Sequence, residues 1–270
     1  MMHKRSLLSL VLAAALFLMP LLASATELAL FFPPEWQGKG QQVRDIAKML
    51  SQGETTVKPV VARSYPDIII AFSKNEPVLV YVGSFLQALL HERGLSAPIV
   101  QGLDGKEAYT SILIAPTGAG TDPVAIVKAA GSFVAYAKGT SSGESGAKAA
   151  TNGLANLGVT NHAAAVSAVT TGSAKCAFVK NWWWEGSKAA FKGLSQFEYP
   201  GVSDKRNPDN VLSANKAVSA KDASAIKSIA TKHADVFGVK SFQEFNPALL
   251  EPSLALMRKG NINPKAYTWL

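Results

Sequence analysis

Residues 132–158 read SFVAYAKGTSSGESGAKAATNGLANLG. Phe133, Val134, Ala135 and Tyr136 predict a buried strand, Lys138 and Gly139 a turn, and Thr140, Ser141 and Ser142 a hydroxyl cluster. An alanine-rich helix closed by Gly158 follows. A strand that ends at the amino end of a helix, with small hydroxylated residues at the junction, can hold an anion. The first N–H groups of a helix lack intrahelical partners, and the helix dipole adds partial positive charge there. Ser and Thr supply further donors, and Gly143 lets the backbone approach a ligand closely. The same residues also make an ordinary N-cap, because Ser and Thr sit at helix starts for local reasons.

Outward from this stretch, short apolar segments alternate with amphipathic ones. Leu28–Phe32, Val57–Ala62, Val78–Val82, Tyr109–Ala115, Cys176–Val179, Phe197–Tyr199 and Val211–Ala214 predict strands. Pro33 to Gly38 reads as a loop, and Val43, Ile46, Ala47 and Leu50 recur at helical spacing. Ser64-Tyr65-Pro66-Asp67 looks like a helix start, although Ile68-Ile69-Ile70 suits a strand equally well. Helices are further predicted over 85–92, 123–130, 163–171, 220–233, 242–250 and 254–259. Such alternation implies parallel sheets covered by helices on both faces. Loops near Gly118 and Arg206 are the candidate crossings between two lobes. Lobe 1 then comprises residues 26–117 plus 211–270, and lobe 2 residues 118–210.

The amino-terminal residues set the compartment. Lys4 and Arg5 precede an apolar run, Leu7 to Leu22, which Pro20 interrupts, and Ala23-Ser24-Ala25 provides small residues for cleavage. This predicts a secretory signal peptide over residues 1–25 and an exported, periplasmic protein. Removing 25 of the 270 residues leaves 245, and removing Lys4 and Arg5 leaves 25 basic against 19 acidic residues, a net charge of +6. The charge is mild and dispersed, with no Lys/Arg block, which disfavours nucleic acid and is compatible with a small anionic ligand. The lone cysteine, Cys176, lies in an apolar run, so the protein stands on its core without an intrachain disulfide.

Gly139-Thr140-Ser141-Ser142-Gly143 also matches the nucleophile elbow G-x-S-x-G, and Asp204, Asp209 or Asp222 with His233 would complete an exported serine hydrolase built on Ser141. No HGGG-type oxyanion segment precedes it. His91, His162 and His233 lie far apart, without Cys or carboxylates at metal-ligand spacing, and neither a P-loop nor G-x-G-x-x-G occurs, so no cofactor is expected. Asn161-His162 opens an alanine-rich helix, where an imidazole donor shares space with the helix dipole; a solvated loop histidine is the plainer alternative. Of Trp182, Trp183 and Trp184, at least one must point outward, and core packing of one or two is the simplest account.

Together, Tyr81-Val82-Gly83-Ser84-Phe85, His91-Glu92-Arg93, Thr140-Ser141-Ser142-Gly143 and His162-Ala163-Ala164-Ala165-Val166 with Gly172 resemble one family. It is the phosphate/phosphonate-binding periplasmic component of ABC transporters, within the type II periplasmic binding proteins. The resemblance runs from the first strand to about Lys216. It implies an α/β fold of two Rossmann-like lobes with a ligand cleft, no catalysis, and a small oxyanion of the phosphate, phosphite or phosphonate type. By the resemblance, Thr140, Ser141, Ser142 and His162 hold the anion, with Tyr81 and Trp36 as aromatic neighbours. It also implies a monomer that docks on a membrane permease, or a sensor subunit of the same fold that docks on a receptor. One departure stands out. Family members often carry an acid after the strand Ala177-Phe178-Val179, and here Lys180-Asn181 stands instead, which argues against an aminoalkyl phosphonate.

Overall fold

The computed structural model describes residues 26–53 and 55–269. The predicted signal peptide lies outside the described residues. The first sheet has strands β1 (Thr26–Phe32), β2 (Thr55–Val61), β3 (Val78–Val82), β4 (Ser96–Leu103), β12 (Val211–Asn215) and β13 (Ser241–Glu244), in spatial order β13-β4-β12-β3-β1-β2. The second has β6 (Ser111–Pro116), β7 (Val134–Ala137), β8 (Leu157–Val159), β9 (Cys176–Lys180) and β10 (Leu194–Phe197), in order β10-β6-β9-β7-β8. Between them a two-stranded ribbon joins β5 (Ala108–Tyr109) to β11 (Asn207–Pro208).

Each sheet is covered on both faces. In the first, Leu28, Leu30, Leu79 and Tyr81 face the helices Gly40–Leu50 and Ala220–Lys232, whereas Val80, Val82 and Val211 face the helices Tyr65–Phe72 and Ser84–Glu92. The period-2 alternation of β-strand side chains produces this split. In the second, Val134, Tyr136 and Phe178 face the helices Pro123–Ala130 and Gly146–Ala150, and Ala135, Ala177 and Val179 face the helix His162–Thr170. The carboxy-terminal helix Glu251–Lys259 belongs to both lobes. Leu256 is buried in the second lobe's core and Met257 in the first's.

Several expectations are corrected. The sheets are mixed, since β12 runs antiparallel to β3 and β4, and β6 antiparallel to β9. β6 sits in the second sheet, so the first crossing falls at Ala108–Tyr109 and the Gly118 turn merely leads β6 into its helix. The expected strand 109–115 breaks at Thr110, whose N–H donates to Asn181 Oδ1 (3.1 Å) and whose carbonyl accepts from Asn181 N (3.1 Å). Residues 34–39 form a 3-10 turn in place of a loop. The alanine-rich helix stops at Ala150, because Asn152 (φ 51°) and Gly153 (φ 90°) turn left-handed, and Gly158 lies in β8. Residues 242–250 are no helix. Ser241–Glu244 pairs with β4 and buries Phe242, and a 3-10 turn follows at Pro247–Leu250. The expected strand 197–199 lies at 194–197.

Candidate binding cleft between the lobes

Three helix starts converge on one cavity of about 190 Å³. The first is Gly83–Ser84, where the β3 strand turns into the helix Ser84–Glu92. The second is Thr140–Ser142. There Gly139 takes φ +71°, Thr140 stays extended, and the chain enters a π-helical turn, Ser141–Ser145, continued by the helix Gly146–Ala150. Thr140 Oγ1 accepts from Gly143 N (3.0 Å) and donates to the Ala137 carbonyl (2.9 Å), pinning the turn to the end of β7. The N–H groups of Ser141 and Ser142 precede any intrahelical carbonyl able to accept them. The third is His162, first residue of its helix, with Asn161 Oδ1 accepting from Ala164 N (2.8 Å) as the cap.

A chain of buried hydroxyls ties these elements together. Ser84 Oγ lies 2.7 Å from Tyr109 Oη and donates to Ser141 Oγ (2.9 Å); Ser141 donates to Ser253 Oγ (3.4 Å), which donates to Asn207 Oδ1 (2.6 Å). A hydroxyl has one proton, so Tyr109 must be the donor to Ser84, and the chain runs in one direction across both lobes. The 3.4 Å separation between Ser141 and Ser253 is long for an O–H···O bond.

His162 is half-buried, but its Nδ1 is enclosed and has no hydrogen-bond partner. Burial, and secondarily the Lys180 ammonium, lowers its pKa to about 3, so the ring is neutral at working pH. An unfolded histidine titrates near 6.5. Between those values the unfolded chain takes a proton that the native state refuses, so this group's stabilisation is lost as pH falls from about 6.5 towards 3. The urea midpoint is therefore expected to drop less between pH 7.5 and 4.5 in His162→Gln than in the native protein. Equal drops would contradict a neutral, buried ring.

Of the sequence-derived residues, Thr140, Ser141, Ser142, His162 and Trp36 all line this cavity. Trp36 does so from within the first core, against Phe32 (4.9 Å) and edge-on to Tyr81 (5.8 Å). Tyr81 does not line it. Its position on β3 points it into that core beside Phe237 and Phe242, with its hydroxyl unpartnered. Tyr65 and Tyr109 line the cavity instead, and Glu35 accepts a hydrogen bond from the Tyr65 hydroxyl. Desolvation and then the Glu35 charge hold the Tyr65 phenol well above its usual range. Lys180, Asp209 and Asn210 complete the wall. Sequence reading missed Ser84, though Gly83-Ser84 after β3 repeats the pattern of a strand, a glycine and a hydroxylated residue found at 137–141.

The hydrolase arrangement is not assembled. The partners of Ser141 Oγ are hydroxyls, and His233 is exposed at the end of the helix Ala220–Lys232. Cys176 is buried, its thiol pushed up to about 12 by desolvation. Among the described residues no group of three or more His, Cys, Asp or Glu side chains is placed to hold a metal.

Two α/β lobes that enclose a polar cavity at converging helix starts define a solute-binding protein. More narrowly, the chain belongs to the periplasmic substrate-binding proteins of phosphonate ABC transporters, whose family model matches residues 41–248. Members of that family are transport proteins that work in the periplasm with ABC permeases. No curated protein matches the chain significantly in sequence. Among solved structures, the chain is similar to XAC2383 from Xanthomonas citri bound to ATP (TM-score 0.70, 12% identity, 87% of this chain and 98% of that one). It is also similar to PhnD1 from Prochlorococcus marinus in complex with methylphosphonate (0.66, 15%, 88% and 99%). A third is a binding-protein component of an ABC phosphonate transporter from Pseudomonas aeruginosa (0.65, 16%, 87% and 87%). At these identities the likeness shows the type II periplasmic binding protein fold.

Proposed function

We propose that this protein captures a small phosphorus oxyanion (phosphate, phosphite or an alkyl phosphonate) between its lobes and, as a monomer, delivers it to a membrane permease without chemical change. The observation that carries this reading is the convergence of the Gly83–Ser84, Thr140–Ser142 and His162 helix starts on one cavity. Its volume, about 190 Å³, lies below the roughly 300–1,000 Å³ of pockets that take drug-sized ligands. The charged side chains on its wall are Glu35, Asp209 and Lys180, two negative against one positive. The anion is therefore held by neutral dipoles: free backbone N–H groups, the serine hydroxyls and the uncharged imidazole. Because Ser84 and Ser141 belong to different lobes yet bond to each other, closure of the lobes assembles the site.

Ser141→Ala and His162→Ala are each expected to weaken binding of methylphosphonate, measured by titration calorimetry, while leaving the circular dichroism unchanged. A hydrogen bond to a charged group is worth roughly 1.5–3 kcal/mol, so the loss should be about ten- to a hundredfold. Native affinity in both variants would remove the site assignment. A melting-temperature screen of phosphate, phosphite, methylphosphonate and sulfate ranks the ligands, since binding to the native state alone raises the midpoint.

A further inference from the structure

The Lys180 ammonium stands in a cage. It lies 3.0 and 3.1 Å from the two oxygens of Asp209, 4.3 Å from the centre of the Tyr109 ring and 4.9 Å from that of Trp182. These groups come from separate parts of the fold: Lys180 ends β9, Asp209 and Tyr109 lie at the two crossings, and Trp182 lies in the first turn of the next helix, Asn181–Ser187. A carboxylate facing two aromatic rings is the chemistry that recognises an alkylammonium group. Lys180, Tyr109 and Asp209 also line the same cavity as the anion-holding helix starts. An ammonium subsite thus adjoins the oxyanion subsite, and the protein's own side chain fills it.

We propose that Lys180 is a specificity-determining residue: its tethered ammonium occupies a cationic subsite of the cleft and so restricts the ligand to oxyanions that carry no cationic tail. A free aminoalkyl phosphonate would have to displace Nζ from Asp209, leaving two ammonium groups to share one carboxylate. Without Lys180 the cavity lengthens, and Asp209 with Tyr109 and Trp182 becomes a vacant ammonium receptor at its far end. The inference rests on the anion-binding reading above and names the part of that site which sets the ligand class.

The experiment compares the native protein with Lys180→Ala, using propylphosphonate and 2-aminoethylphosphonate, which differ chiefly in a terminal methyl against an ammonium. The native protein is expected to prefer propylphosphonate, and Lys180→Ala to reverse that order by about tenfold or more, the effect of gaining a hydrogen-bonded charge pair. In a second readout, methylammonium chloride should raise the melting temperature of Lys180→Ala above that in equal sodium chloride, and leave the native protein unmoved. Lys180→Ala/Asp209→Asn should lose both gains. If Lys180→Ala does not fold, Lys180→Ser carries the same comparison. A native protein that binds neither propylphosphonate nor methylphosphonate removes the anion site and this proposal with it. Native binding of methylphosphonate, with a Lys180 variant that keeps the native order of preference and gains nothing from methylammonium, overturns the ammonium subsite alone.

Discussion

Gly143→Ala is expected to reduce methylphosphonate affinity by about a hundredfold or more, the worth of two hydrogen bonds to an anion, and to lower stability by about 1–3 kcal/mol, the usual cost of overpacking. A Cβ at this position would stand 2.5 Å from Thr140 Oγ1 and 2.9 Å from both the N and the O of Ala137. The hydroxyl can rotate away. The backbone of Ala137 cannot, because β7 is paired on both sides, with β8 and β9. The π turn must then shift outward, carrying the Ser141 and Ser142 N–H groups away from His162 and Ser84. Calorimetry and urea unfolding together check this. A variant with native affinity would show that the turn does not grip the ligand.

Glu144→Ala is expected to lower stability by about 3 kcal/mol or more, since it removes a buried carboxylate and leaves the donors around it without their acceptor. Glu144 is only 2% exposed. It accepts from Gly139 N (2.8 Å), Lys148 Nζ (2.9 Å) and Tyr267 Oη (2.7 Å). Its charge, after desolvation, holds the Tyr267 phenol far above its usual range. The carboxylate therefore clamps the start of the binding loop to the carboxy-terminal segment. That segment is tied down elsewhere by Arg93, which donates to the carbonyls of Pro264 (3.0 Å) and Tyr267 (2.7 Å), and by Trp269 stacked on Tyr65 (5.4 Å). The urea midpoint should fall clearly in Glu144→Ala and less in Glu144→Gln, which can still accept from Gly139. An unmoved midpoint in Glu144→Ala would mean the clamp contributes nothing.

The residues proposed to hold the anion were readable because their signals are local. A strand, a glycine and two or three hydroxyls in succession specify a helix start wherever they fold, and Asn161-His162 specifies another. Tyr81 was misread for a nonlocal reason. Its strand is buried on both faces, so sequence order does not say which face looks into the cleft, and the core of Trp36, Phe237 and Phe242 claims it. β4 was missed because Pro98 and Gly102 interrupt its pattern, and only pairing with β12 and β13 makes it a strand.

By itself, the chain's order of residues determined the alternation of strands and helices and two of the three polar helix starts, because each follows from spacing within a few residues, and its single cysteine ruled out an intrachain disulfide. Tertiary structure decided which sheet β6 joins, that the last helix spans both lobes, and that Lys180, Asp209, Tyr109 and Trp182 meet. Those outcomes depend on contacts between segments far apart in the chain, where burial and hydrogen-bond satisfaction across the whole molecule, and not local preference, choose the arrangement.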